Sequence, residues 1–327
     1  MNSLIIGIDV SNKTLDIAYQ EDNHWVDYQI ENTMKSIEVF LQGFDEQHIT
    51  FVLEPTGTYS DKLLHSLDKS NCSIKLINPQ KSSAFMKVLG ITAKDDKQAA
   101  RALAIAGKTL DLPDFQMPNE DIQKRKKMQM ALNAFEKQER QTKNQIHSLM
   151  QCLYTPDVVL EAFQDVLNTI QDNIRKIKQE LDALTDIGFD KFKELACSVK
   201  GIGEKSAQLL YTYTNGFELF TNSKQLVKFV GTVPLTHQSG SSVYRKGRIS
   251  KAGPAQIRTV LFNATRAAIR FNKECKELFN RLRSKGKPYK VAKVAVINKL
   301  LRQTFAVVKS GVKFQDDYHN KFKEHIE

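Results

Sequence analysis

No run of apolar residues approaches the roughly 18 that a membrane span requires, and the short LIIGI at 4–8 lacks the basic flank and cleavage site of an export signal. The expectation is a cytoplasmic protein with no membrane partner. Cysteine is scarce: Cys72, Cys152, Cys197 and Cys275 lie far apart, with no Cys-x-x-Cys and no His/Cys cluster. That excludes a zinc site or a disulfide framework and leaves buried, reduced thiols as the expectation. Acidic residues are scarce in one half only. From Lys191 to Glu327 there are 27 Lys+Arg against 9 Asp+Glu, a net of +18, whereas the first 190 residues carry 21 basic and 28 acidic groups. A positive field concentrated on one half is what a polyphosphate chain selects, through Coulomb attraction and counterion release.

What is present suffices for real cores. Of 327 residues, 41% are hydrophobic, which supports two or three folded domains. The opening reads as three short strands, LIIGIDV, TLDIAY and HWVDYQI, with turns at SNK and QEDN. A helix from about Met34 to Phe44, the strand ITFVLEP, a helix from about Tyr59 to Asp68 and the strand SIKLINP follow. Three antiparallel strands and then alternating strand and helix describe a mixed sheet covered by helices, the plan of the ribonuclease H-like fold. KDDKQAARALAIAG reads as a helix from near Asp95 to Gly107.

Heptad spacing then runs from Met128 through Leu132, Phe135, Glu139, Thr142, Ile146, Leu149 and Leu153, and after Pro156 from Phe163 to Leu184. Two long helices broken at TPD form an antiparallel hairpin or coiled-coil arm, whose seam is covered by this chain or by a second copy. Gly201-Ile202-Gly203 sits between two helical segments, as in a helix-hairpin-helix whose glycines let N–H groups approach a phosphate; a plain interhelical turn would read the same. LTHQSGSSVYRKGRISKAG reads as a polar loop, and helices follow. Between Arg245 and Lys290 stand 14 basic residues against Glu274 and Glu277.

Asp9 follows LIIGI and Glu54 follows ITFVL, so each ends an apolar strand, where a lone carboxylate is costly to desolvate. Asp96 opens a helix, where an acid also complements the macrodipole and needs no further purpose. Edge positions and caps would account for such acids singly. Together, in this order, they are the usual way of clustering carboxylates around Mg²⁺ at a phosphodiester. GIDVSNKTLD also resembles the first phosphate loop of actin-like ATPases. That fold requires a second Asp-x-Gly after an apolar strand and a Gly-Gly turn; here the only Asp-x-Gly, at 186–188, ends a heptad helix, and no Gly-Gly occurs. The serines of 239–242 are ordinary turn residues or, beside Arg245, Lys246, Arg248 and Lys251, candidate nucleophiles.

Taken in order, GIDVSNKTLDIA, LEPTGTY, KDDKQAA, KGIGEKSA, FVGTVP, QSG and GRISKAG resemble the motifs of the insertion-sequence 110 family of DEDD transposases. That family includes bridge-RNA-guided recombinases and Piv-type DNA invertases, and the resemblance covers nearly the whole chain. It implies a RuvC-like, ribonuclease H-fold domain at 1–118, a coiled-coil helical region at 119–188 and a helical transposase domain at 189–327. It further implies Mg²⁺ held by Asp9, Glu54 and Asp96, and Ser239 attacking DNA to form a phosphoserine. Gly201, Gly203, Arg245, Lys246, Arg248, Lys251 and Arg258 are the expected nucleic-acid contacts. The implied partners are DNA, a bridge RNA and further copies of the chain in a homodimer or homotetramer, in a bacterial cytoplasm and at the nucleoid when acting.

One position departs from the pattern. The family carries a fourth acid three residues after the third, on the same helix face, and this chain has Ala99 there. Reliance on three acids plus water, a degenerated enzyme that only binds nucleic acid, and an engineered block to catalysis all fit that departure. Asp95 points roughly 100° around the helix from Asp96 and reads as its solvated neighbour.

Overall fold

The three opening apolar segments become β1 (Leu4–Val10), β2 (Thr14–Glu21) and β3 (His24–Glu31) in the computed structural model, which describes residues 4–44, 49–91, 95–184, 187–239 and 243–316. Glu21 pairs with His24, so β2 and β3 are joined by two residues, Asp22 and Asn23, both at positive φ. Such a turn matches the right-handed twist of the strands it joins. Then come α1 (Met34–Gln42), β4 (Ile49–Leu53), α2 (Asp61–Lys69), β5 (Ser73–Leu76), α3 (Pro79–Val88) and α4 (Asp96–Thr109). The sheet order is β3-β2-β1-β4-β5, with β2 antiparallel to both neighbours and β1, β4 and β5 parallel. This is the ribonuclease H-like plan expected from the strand pattern.

Both faces of the sheet are covered, which is why its central strands are almost continuously apolar. On one face Ile6, Ile8 and Val10 join Leu15, Ile17, Phe51 and Leu53 under Ile37, Phe40 and Leu41 of α1 and Leu63, Leu64 and Leu67 of α2. On the other, Val52, Ile77 and Ile5 meet Leu103 and Ala106 of α4. Glycine sets how closely α4 approaches. A Cβ on Gly7 would lie 2.0 Å from the Ala100 carbonyl oxygen and 2.4 Å from the Ala104 nitrogen. Gly107, expected to end this helix, instead lies inside it, where a Cβ would stand 2.5 Å from Val52 Cγ2. Its role is close packing rather than termination.

The chain divides into two compact units, Met1–Pro118 and Asn119–Glu327. The second opens with α5 (Glu120–Leu149) and α6 (Asp157–Ala183), whose seam buries Leu132, Ile170, Ile174 and Leu181. The heptad spacing carried the seam on to Leu153, which instead lies in the turn after α5 and is exposed. Arg125 is buried near the other end of the pair: it donates to the carbonyls of Leu181 (3.4 Å) and Leu184 (3.1 Å) and lies 4.2 Å from the centre of the Phe189 ring.

Beyond it are α7 (Ile187–Ser198), α8 (Glu204–Thr214), α9 (Ser223–Val230), β6 (Pro234–Ser239), β7 (Val243–Ile249), α10 (Ala255–Phe271), α11 (Lys273–Ser284) and α12 (Tyr289–Ser310). Phe217, Leu226, Leu261, Val296 and Leu300 are among the residues of their common core. The segment read as a polar loop is thus an antiparallel hairpin. Its alternation is between polar and charged side chains, and this hides the strand period from a hydrophobicity reading. Among the described residues no helix is long and apolar enough to cross a membrane.

Candidate active site

Strand parity decides which acids meet. Ile5, Gly7 and Asp9 share the α4 face of β1, and Asp9 pairs directly with Asp16 of β2. Cross-strand partners lie about 5 Å apart at Cβ, so two carboxylates occupy adjacent positions on one face. Asp16 is 4% exposed and accepts a 2.9 Å hydrogen bond from the Gln29 side chain, its partner on β3. Glu54 follows β4 directly. The turn beyond it is fixed by Thr56, whose hydroxyl donates to the Glu54 carbonyl (3.2 Å) and whose N–H donates to Ser60 Oγ (3.1 Å). Buried Asn32 ties this turn to the one after β1, donating to the carbonyls of Ser11 (2.8 Å) and Tyr59 (2.9 Å).

Asp96 begins α4, and Gly7 lets that helix reach the sheet. Asp95 is the cap, its carboxylate accepting the Lys97 N–H at 3.2 Å; it is the solvated neighbour expected. Arg101, on the second turn, donates from Nε to Asp27 of β3 (2.8 Å) and also forms a second bond to that carboxylate through Nη2, with Trp25 beneath it. The guanidinium holds the Asp27 carboxyl below its usual range. This two-pronged pair fixes α4 over β3.

Burial, with Asp96, Glu54 and Asp16 adding to it in that order, pushes the Asp9 carboxyl up to about 6, and a backbone hydrogen bond at Val10 opposes the rise. Among the described residues, every charged side chain that acts on Asp9 is acidic. Asp96 and Glu54, the other two expected acids, lie within electrostatic reach of Asp9, and so does Asp16, which sequence reasoning missed. The signal was the hairpin register: a turn centred on 12 and 13 pairs position 9 with 16. Among the described residues no three such side chains stand close enough to share one ion. The chemistry of the donor set fits a hard divalent cation, because its donors are carboxylate oxygens and, among the described residues, no basic side chain acts on Asp9.

The remaining expected residues lie in the second unit. Ser239 ends β6 and its backbone pairs with Val243; Arg245 pairs with His237, and Lys246 lies in β7. The side chains of these three, and residues 240–242, lie outside the described ones. Arg248 and Lys251 are exposed. The base of the hairpin is fixed where FVGTVP meets SKAGP: Ser250 N–H donates to Val233 O and Lys251 N–H to Gly231 O (3.0 and 2.9 Å). A Cβ on Gly253 would lie 1.7 Å from Phe229 O, so only glycine permits that crossing. Arg258 is committed to the same crossing, donating to the carbonyls of Val230 (3.0 Å) and Gly253. Gly201, at φ +111°, packs on α10, where a Cβ would stand 2.6 Å from Ala268 Cβ; Gly203 has open space around it.

Residues 6–155 match a DEDD transposase family model, and residues 193–280 match the model described as Transposase IS116/IS110/IS902 family. The pilin gene-inverting protein of Moraxella bovis is 25% identical over 98% of this chain and 100% of its own length. The transposase for insertion sequence element IS1111A of Coxiella burnetii is 31% identical over 37% of this chain and 30% of its own. A solved structure, T. thermophilus RuvC in complex with Holliday junction substrate, aligns with 35% of this chain and 100% of its own at 10% identity, with a TM-score of 0.26. The two family models together span well over half of the sequence, in order. The chain belongs to the IS116/IS110/IS902 transposase family.

Proposed function

We propose that the protein is a DNA recombinase of an insertion sequence, cutting and rejoining strands through a phosphoserine on Ser239. What supports the reading is that Asp96, Glu54 and Asp16 all act electrostatically on Asp9 on the α4 side of the sheet, with no basic side chain among the described residues opposing them. Those acids would hold Mg²⁺, which, when bound, polarises the phosphodiester and stabilises the oxygen that leaves it. Ser239 Oγ attacks phosphorus: the P–Oγ bond forms, one P–O bond of the DNA strand breaks, and the hydroxyl proton passes to the released oxygen. A strand hydroxyl then attacks the phosphoserine and reverses the exchange, so no ATP is consumed. Arg248 and Lys251, exposed at the hairpin, supply positive charge to the DNA backbone.

Incubation with radiolabelled DNA and Mg²⁺ is expected to give a covalent protein adduct that is lost in Ser239→Ala. An adduct of wild-type strength in that variant rejects the assignment. Guidance by a bridge RNA and assembly as a dimer or tetramer belong to the same proposal. A second reading, a site-specific invertase that uses no RNA, is favoured by the full-length match to the pilin gene-inverting protein. Sequencing RNA that copurifies from the host separates them: a single enriched RNA supports guidance, and recombination unaffected by ribonuclease supports the invertase.

A further inference from the structure

Tyr59, in the turn that follows Glu54, is 45% exposed, and among the described residues its ring meets no other ring and its hydroxyl no hydrogen-bond partner. Single exposed aromatics are ordinary surface. This one differs in how its main chain is held. Its N–H donates to Thr56 O at 3.2 Å, and the Thr56 hydroxyl is itself bonded to Glu54 O. Its carbonyl accepts from Asn32 Nδ2 at 2.9 Å, and the same amide group donates at 2.8 Å to the carbonyl of Ser11, just past Asp9. The ring is therefore carried on backbone that is fixed to the strand ends of both Asp9 and Glu54.

Asn32 places two cations with it. Its N–H donates to Lys13 O (2.8 Å) and its carbonyl accepts from Lys62 Nζ (3.1 Å), and both lysines are exposed. They stand in a half of the chain where acids outnumber bases, 28 to 21, so they do not belong to a general basic surface. Neither is among the charges acting on Asp9, so their charge is offered beside the acids and not to them. A free aromatic face with ammonium groups beside it is the arrangement that holds one nucleic-acid strand, base on ring and phosphates on cations. Phosphate alone would need no ring.

We infer that Tyr59 stacks on a base of the DNA strand next to the phosphate at the acids, with Lys13 and Lys62 on neighbouring phosphates. This rests on the reading of the protein as a DNA recombinase. A base stacked on a fixed ring cannot slide, so the phosphate beside it is kept in register with Asp9 and Glu54. The ring binds the strand and takes no part in bond making.

The test uses full-length protein carrying Ser239→Ala, so that binding is read without chemistry, and single-stranded oligodeoxythymidine with one 5-iododeoxyuridine as the probe. Irradiation should crosslink the iododeoxyuridine to Tyr59, identified by mass spectrometry of the peptides. The absence of a Tyr59 crosslink overturns the inference. Lys13→Gln/Lys62→Gln should flatten the plot of log affinity against log salt by about 0.7 per lysine, and an unchanged slope overturns their part in it. With Ser239 restored and duplex DNA and Mg²⁺ supplied, Tyr59→Ala should slow adduct formation by about five- to a hundredfold. Tyr59→Phe and Tyr59→Trp should keep wild-type rates, and Mg²⁺ affinity should not move in any of the three. Tyr59→Ala at the wild-type rate, Tyr59→Phe as slow as Tyr59→Ala, or a loss of Mg²⁺ affinity in Tyr59→Ala each overturns the stacking role. If no adduct depends on Ser239, the reaction assigned to the protein fails, while the crosslink still decides Tyr59.

Discussion

Replacing Gly7 with Ala tests whether the approach of α4 to β1 is what assembles the acidic site. The added methyl would sit 2.0 Å from the Ala100 carbonyl oxygen and 2.4 Å from the Ala104 nitrogen, both backbone atoms of a helix that cannot rotate away as a side chain could. Reaching even 3.0 Å requires α4 to retreat by about 1 Å along its length, against the packing of Leu103 and Ala106 on Val52. Overpacking a closed core costs about 1–3 kcal/mol. With two backbone contacts violated we place this substitution at the top of that range.

In a unit of this size, 3 kcal/mol lowers the melting temperature by roughly 10 °C or more. Gly43→Ala, where the new Cβ would meet only Phe40 O at 3.4 Å, is the control and should stay within about 0.5 kcal/mol of wild type. The retreat also carries Asp96 away from Asp9, so the Asp9 carboxyl should titrate lower, measured by carbon-detected NMR of the side chain. A Gly7→Ala protein that melts with the Gly43→Ala control and leaves Asp9 titrating near 6 refutes the account.

Asp9, with its carboxyl at about 6 against an ordinary 3.8, binds its proton more tightly folded than unfolded. Its contribution to stability is therefore complete below about pH 4 and lost as pH rises through 6. Asp9→Asn should raise metal-free stability at pH 7.5 by about 1–2 kcal/mol after solvent screening, with no gain below pH 4; an equal gain at both pH values contradicts the sign. Asp16→Asn should lower the Asp9 titration and weaken Mg²⁺ binding measured by calorimetry; unchanged values would make Asp16 a bystander. With a maleimide, Cys152 should react in the native protein, whereas Cys275, buried with its thiol pushed up to about 12, should react only after unfolding. Ala99→Asp should increase Mg²⁺ affinity in the same calorimetry.

The strands and their order were legible because apolar side chains on both faces leave an unmistakable run, and the turns between them carry polar residues. Helix α3 was not legible. PQKSSAFMKV has little apolar periodicity, although Asn78 before Pro79 is a helix start in its own right, Asn78 accepting the Gln80 N–H. The β6–β7 hairpin was missed for the same reason: HQS and YRKGR offer no apolar face to count. Three acids could be chosen from strand ends and a helix start, but Asp16 lies mid-strand in TLDIAY and gains its meaning only from the residue opposite. Gly201 was read as a nucleic-acid contact from its place in a glycine turn between two helices and Arg258 from its basic surroundings; the structure shows in addition that Arg258 holds main-chain carbonyls and that Gly201 packs on α10.

The Ala-rich face of α4 explains what position 99 can and cannot mean. Ala100, Ala104 and Ala106 are buried against the sheet, and their small size allows the close approach at Gly7 and Gly107, so an acid at any of them would break the packing. Ala99 is only half-buried and its N–H is satisfied by Asp95 O at 2.9 Å. A carboxylate there is compatible with the helix and would lie one turn from Asp96, on the side from which Asp96 acts on Asp9. Packing therefore does not require alanine at 99. If Asp16 already supplies the fourth carboxylate, Ala99→Asp creates a fifth: Asp9 should then titrate above 6, and the gain in Mg²⁺ affinity should be larger in the Asp16→Asn background than in wild type. Equal gains in the two backgrounds would show that the positions do not share an ion.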